Sequence, residues 1–305
     1  LVVRAAGQKN EKWKIQIIVS NSTFEDFNEA KSNMDHIYNQ VDPKAYSGEL
    51  QKLNYIIPEE AKPIFQQLIS CLQERKDKPI SILDLGCSYG INAALLKYDI
   101  TLRELFDHWN EQKQGAILAE IIETDRDFFS NLCNSDGINV IGIDPAEKAV
   151  SYAEDVGLLD KAYAINLETN LLSAGATDKL ADIDLVASTG CVGYVTEKSF
   201  ERLLPAVTKG RLPWIGNFVL RMFPFDVIEE TLSEWGYVTE KLTDQTFFQR
   251  RFASMDEQEQ IVEQLSDLGI DPTGMEAEGD LHAEFYLSRP IKDATIIPVE
   301  QLFHV

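Results

Sequence analysis

The chain has 305 residues, enough for one large α/β domain with appendages or for two small domains. Its 44% hydrophobic and 26% charged residues are the composition of a soluble globular protein, and no apolar run offers a membrane span. With 50 acidic against 28 basic side chains the net charge is −22, which repels phosphate backbones and argues against RNA or DNA as the main partner.

The start, Leu1-Val2-Val3-Arg4, lacks the long apolar core of a secretory signal. Cys71, Cys87, Cys133 and Cys191 are spaced neither as a zinc site nor as an iron–sulfur loop. They read as reduced thiols of a cytoplasmic protein, and no metal is expected. Residues 13–19 alternate enough for a short strand. From Thr23, the positions of Phe27, Ala30, Met34, Ile37 and Val41 form one apolar helical stripe, which Asp42-Pro43 ends. Pro63 suits the first turn of a further helix burying Ile64, Leu68 and Leu72. The segment 75–79 is a polar break, so the chain divides into an N-terminal helical lid, 1–79, and a core, 80–305.

After the break, short apolar strands alternate with amphipathic helices, at 80–85, 139–143, 162–165, 182–187 and 215–220. Two more strands follow at 246–253 and 281–287. Such alternation predicts a mostly parallel sheet with helices on both faces, Rossmann-like and seven-stranded. Residues 86–138 are too many for an ordinary crossover, so a helical insertion lies at about 99–137, begun by a capping box of Thr101 and Glu104. It is either a helical pair packed on the domain or a partner surface. A second insertion, about 254–279, carries a helix with Ile261, Leu265 and Leu268 on one side.

In an open parallel sheet, ligands sit beyond the carboxyl ends of the strands. The first strand, ISILDL, feeds its helix through Gly86-Cys87-Ser88-Tyr89-Gly90. The spacing is G-x-x-x-G, preceded by Asp84, and not the G-x-G-x-x-G of a dinucleotide turn. A carboxylate there disfavours phosphate and favours a cationic nucleoside. The alternative reading of Gly86 and Gly90 is close strand-to-helix packing.

LDLGCSYG resembles the first motif of the class I S-adenosylmethionine-dependent methyltransferases. Three later stretches fit the same family in order. Val140-Ile141-Gly142-Ile143-Asp144-Pro145 ends a strand in an acid, which by resemblance takes the ribose hydroxyls. Asn166-Leu167 ends the third strand, near adenine by resemblance or simply as a cap. Asp184 to Tyr194 resembles the fourth motif, whose residues, Thr189 and Gly190 among them, lie beside the transferable methyl.

The resemblance implies S-adenosyl-L-methionine as cofactor and S-adenosyl-L-homocysteine (SAH) as product. It implies cofactor contacts from Asp84, Gly86, Cys87, Ser88, Gly90, Asp144, Pro145, Asn166, Leu167, Thr189 and Gly190. Cys87 and Cys191 read better as buried packing residues than as nucleophiles. Tyr46 and Tyr55, in YSGELQKLNYIIP, precede the first motif, where one of them closes over the cofactor. The catalytic candidates are His36, on the predicted lid helix, and Tyr194; a surface role is the alternative for His36. His282 and Glu284 share a strand face and read as structural. The base-amino motif, the paired-glutamate loop of arginine methyltransferases and the catechol-type metal site are not visible. The acceptor expected is therefore a small molecule, such as a natural product, methylated on nitrogen or oxygen. A protein or peptide substrate and a non-catalytic binding protein are the alternatives.

Overall fold

The computed structural model describes residues 36–111, 115–134 and 137–303. The strand expected at 13–19 and most of the helix expected at 23–41 lie outside the described residues. Where that helix was to end, residues 36–39 form a turn. Two helices follow, α1 (Lys44–Lys52) and α2 (Ile57–Gln73). The latter starts earlier than expected. Pro58 takes its first turn, while Pro63 sits inside on the solvent face, where the carbonyl it cannot pair is open to water.

The core begins with β1 (Ile80–Leu85), then α3 (Ile91–Lys97), α4 (Leu102–Glu111), α5 (Leu118–Ser130) and β2 (Ile138–Asp144). Next come α6 (Glu147–Asp155), β3 (Lys161–Ala164), α7 (Ala174–Lys179), β4 (Leu185–Thr189), α8 (Glu197–Val207) and β5 (Trp214–Leu220). The chain closes through α9 (Asp226–Glu234), β6 (Tyr237–Lys241), β7 (Phe247–Arg251), α10 (Met255–Asp267), β8 (Asp280–Pro290), α11 (Ile291–Ile296) and α12 (Val299–Leu302).

The eight strands form one sheet in the order β3-β2-β1-β4-β5-β8-β6, with β7 also paired to β8. Strands β1 to β5 are parallel; β8 runs antiparallel to β5, β6 and β7. This is a Rossmann-like mostly parallel sheet, with one strand more than expected. The extra strand is β6, whose partly exposed Thr239 and Glu240 give it no apolar run to read. Interior strands such as β5 are buried at every residue, because helices cover both faces. The sheet order reverses between β1 and β4, and their carboxyl ends open a crevice there.

Helix α2 packs across β1, β4 and β7, and its Phe65 ring meets Phe218 and Phe285 edge-on at 5.5 and 6.4 Å. The linker before it adds to the free edge of β7: Ile56 N–H donates to Gln249 O at 2.9 Å, and Arg251 N–H to Leu53 O at 2.7 Å. The insertion α4–α5 is a packed helical pair. Leu105 and Trp109 are fully buried, and Thr101 and Glu104 cap α4 reciprocally at 2.9 and 3.2 Å. Asn110 and Asp107 of α4 bond Ser47 and Gln51 of α1, so the insertion braces the lid. Among the described residues, no helix is long and apolar enough to cross a membrane.

Candidate active site

A cavity of about 390 Å³ lies at the crevice, walled by the ends of β1, β2 and β4, by α1 and by β7. Three of the five residues after β1 have positive φ: Gly86 at 77°, Ser88 at 46° and Gly90 at 79°. The two readings of the glycines are both realised, at different positions. Gly86 lines the cavity, and a Cβ there would come within 2.7 Å of Cys191 Cβ. Gly90 does not line it; a Cβ there would meet Ala153 at 3.1 Å and Leu158 at 3.2 Å, so this glycine lets α3 start against α6.

Ser88, a non-glycine in the left-handed region, is held by its N–H, which donates to Asp144 Oδ2 at 3.0 Å. The other oxygen of Asp144 accepts Ala146 N–H at 2.8 Å. Burial raises the Asp144 carboxyl and these two bonds oppose the rise. Two lone-pair directions remain on the carboxylate side that lines the cavity. Ser88 Oγ is buried without a partner among the described residues.

Pro145, Asn166, Leu167, Thr189 and Gly190 also line the cavity. Asn166 caps as well: its Oδ1 accepts Glu168 N–H at 2.9 Å. Cys87 and Cys191 line it as buried thiols; burial pushes Cys191 up to about 12 and Cys87 well above its usual value, which suits packing. Cys191 Sγ lies 3.0 Å from Ser188 Oγ and donates to Leu85 O at 3.3 Å.

Three of the expected site residues do not line the cavity. Asp84 does not line the cavity. It lies behind the wall, accepting Asn92 Nδ2–H at 2.8 Å, and Asn92 and Thr189 stand between it and the open space. Gly90 packs, as described. His36 has an exposed side chain in the 36–39 turn and is not among the lining residues; Tyr38, two positions on, is. Of the other histidines, His108 is 2.7 Å from Asp125 and stacked on Phe128, and His282 bonds Thr246, both away from the cavity; His304 lies outside the described residues.

Burial raises Asp84 to about 7, opposed by the Asn92 bond and helped by Asp144. The folded protein therefore holds this proton between about pH 4 and 7, where the unfolded chain has lost it. That contribution to stability is complete below pH 4 and lost as pH rises to 7. Asp84→Asn is expected to match wild type near pH 4 and to exceed it in stability at pH 8, as read by denaturant unfolding at both pH values.

The lid is aromatic. Tyr46 is buried with ring centroids 5.4 Å from Tyr38, 6.4 Å from Tyr55 and 5.5 Å from Tyr89. Tyr89, from the glycine turn, accepts Gln40 N–H at 2.8 Å and so ties the 37–40 turn to the core. Sequence reasoning missed Tyr38, Asn92, Glu168, Gln249 and Arg250, which all line the cavity. The last two are neighbours in a strand, and alternation would place one of them on each face. A bulge between Phe248 and Arg250 breaks that alternation. Arg250 is paired at 2.6 and 3.1 Å with the two oxygens of Glu257, on the inserted α10.

Sheet order and crevice define a Rossmann-like α/β protein with a cavity at its switch point. No family model matches the sequence, and no curated protein does. Among solved structures, the chain is similar to a TehB-like SAM-dependent methyltransferase from Corynebacterium glutamicum, at 16% identity over 72% of this chain and 86% of that one, with a TM-score of 0.35. It is similar also to the plantazolicin methyltransferase BpumL in complex with SAH, at 13% identity over 76% and 84%, TM-score 0.39. A SAM-dependent methyltransferase from Geobacter sulfurreducens in complex with SAH gives 14% identity over 77% and 92%, TM-score 0.34. At TM-scores below 0.5 these likenesses add no weight to the site described above.

Proposed function

We propose that this chain is an S-adenosylmethionine-dependent methyltransferase acting on a small molecule, with 80–305 as its core and 1–79 as its lid. One observation carries the reading: Asp144, at the carboxyl end of β2, is locked by two backbone N–H groups and lines the crevice at the switch point. A carboxylate so placed suits a pair of vicinal hydroxyls. The residues present fit the nucleoside. Ser88 Oγ is an unpartnered buried hydroxyl beside Asp144, and the tight Gly86 turn lets a ligand lie against the backbone.

In this reading Asp144 holds the ribose, Asn166 and Leu167 flank the base, and Gly86, Thr189 and Gly190 border the reactive end. When bound, the sulfonium supplies an already activated methyl group. The chain's own work is to align the acceptor and to exclude water. A cavity of about 390 Å³ is of small-molecule size. Four free cysteines suit the reducing cytoplasm proposed as its location.

Calorimetric titration with S-adenosylmethionine and SAH, wild type against Asp144→Ala, tests the reading. Binding by wild type that the variant loses is expected; no binding by wild type ends it. Tyr46 and Tyr55 both line the cavity, their ring centroids 6.4 Å apart, which lets their hydroxyls reach a bound cofactor. Tyr46→Phe and Tyr55→Phe are each expected to weaken SAH binding roughly three- to tenfold, the worth of one hydrogen bond. Unchanged affinity in both variants removes the lid role of these tyrosines.

A further inference from the structure

The wall of the cavity that faces the strand ends is built from the lid and from β7. Gln249 of β7 is 6% exposed, and its backbone carbonyl accepts Ile56 N–H at 2.9 Å. Its side-chain Oε1 is buried and turned away from the cavity. Its Nε2, a donor, is the atom open to the cavity, close against Gly190, where a Cβ would come within 2.4 Å of it. This amide N–H meets no acceptor among the described residues. Arg250 lines the cavity beside it and Glu257 does not, so of that ion pair it is the cation that borders the open space. Its charge is felt at Tyr38 and Tyr55, where it opposes the rise that burial imposes on both hydroxyls.

The walls offer no base to an acceptor that must lose a proton during transfer. Desolvation raises the hydroxyls of Tyr38, Tyr46 and Tyr55 and the thiols of Cys87 and Cys191, so all stay protonated near neutrality and can only donate. Both carboxylates of the wall are engaged. Asp144 holds the turn after β1, and Glu168 accepts Thr196 N–H at 2.9 Å, Thr196 Oγ1–H at 2.8 Å and Ser199 Oγ–H at 2.6 Å. Asp84 lies behind the wall, and among the described residues no histidine lines it. The acceptor must therefore bring a nucleophilic electron pair of its own at neutral pH. An amine has one lone pair and spends it on the methyl group, which leaves N–H groups facing the N–H and O–H donors of this wall. A carboxylate is ionised at neutral pH and has two oxygens, so one takes the donors while the other attacks.

We infer that the methyl acceptor is a carboxylic acid with an aromatic or apolar body, one carboxylate oxygen of which accepts Gln249 Nε2–H beside Arg250 while the other faces the methyl group. The inference rests on the methyltransferase reading and names its substrate class. A lone pair of the second oxygen forms the O–C bond, and the C–S bond breaks with its electron pair left on sulfur. No proton moves: a carboxylate and a sulfonium become a methyl ester and a thioether, both uncharged. The rings of Tyr38, Tyr55 and Tyr194 line the cavity and flank the body. The ester no longer matches the charge of Arg250, which favours its release.

The test uses SAH-saturated protein and three probes of similar size: hydrocinnamate, phenethylamine and para-ethylphenol. Calorimetry is expected to show hydrocinnamate binding at least about tenfold more tightly than either other probe, a difference of about 1.4 kcal/mol. Gln249→Met, which removes the donor, is expected to weaken hydrocinnamate at least about fivefold. Gln249→Glu, which sets a second carboxylate against the first, is expected to weaken it at least about tenfold. SAH affinity is expected to stay within about twofold of wild type in both variants. With S-adenosylmethionine present, mass spectrometry is expected to show hydrocinnamate plus one methyl group, removed again by alkali as an ester is. Should a variant fail to fold, the wild-type ranking and the ester product decide alone. Failure of hydrocinnamate to bind, equal or tighter binding of the amine or phenol, or an intact hydrocinnamate affinity in both variants overturns the inference. A loss of SAH affinity with hydrocinnamate binding intact also overturns it, because Gln249 then serves the carboxylate of the cofactor. SAH binding by wild type without a carboxylate preference overturns the inference alone; no SAH binding overturns the methyltransferase reading with it.

Discussion

Asp144→Ala is expected to weaken SAH binding by at least about 100-fold. A carboxylate bonded to two ligand hydroxyls contributes about 1.5–3 kcal/mol through each, and losing about 3 kcal/mol in all is a factor above 100. The truncation reaches the wall as well. Ser88 N–H and Ala146 N–H lose their acceptors, and Ser88, at φ 46°, loses the bond that holds it in the left-handed region. Asp144→Asn separates the two effects. Its amide keeps the shape but turns an NH2 towards one of the two N–H groups, so a loss of about tenfold or more is expected. Calorimetry gives the affinities, and thermal unfolding of each variant reports whether the turn has moved. Wild-type affinity in Asp144→Ala would leave the proposed function without its main support.

The second large effect is on stability. Glu257→Ala is expected to destabilise the fold by about 3–5 kcal/mol, because it leaves a buried guanidinium without its counter-charge. Arg250 and Glu257 side chains are 6% and 1% exposed, and Glu257 also accepts Ala253 N–H at 2.7 Å just before α10. One carboxylate thus anchors the inserted helix and fixes a residue of the cavity wall. Denaturant unfolding measures the loss. The double variant Glu257→Gln with Arg250→Met, which removes both charges while keeping volume, is expected to recover most of it. A change under about 1 kcal/mol in Glu257→Ala would mean that solvent reaches the pair.

Legibility in the sequence tracked how local each feature was. The apolar runs at 80–85 and 215–220 were readable because interior parallel strands are covered on both faces. Asp144 and Ser88 were readable because residues that end strands and turn tightly follow one another in the chain. His36 does not line the cavity because the stripe ends before it as a helix: Ile37 is buried beside it, but the backbone is a turn and the imidazole faces solvent. Asp84 stays off the cavity wall for another reason. In a pleated strand successive side chains face opposite sides: Leu85, last before the turn, lines the cavity, and Asp84 faces the other way, where Asn92 of α3 takes its side chain. Strand β6 escaped notice because its pattern is half polar, and Gln249 with Arg250 because a bulge has no signature in the residue types.

By itself, the sequence determined the alternation of strands and helices, the position of the switch-point turn and the acid after β2. Each is set by the backbone preferences and hydrophobic period of neighbouring residues. Only the tertiary structure decided which polar groups meet across the cavity. Gln249 reaches Gly190, and α4 braces α1, each across a separation of about sixty residues. Those contacts depend on register, on a bulge and on how the lid settles against β7. Packing sets all three, and no short stretch of the chain encodes them.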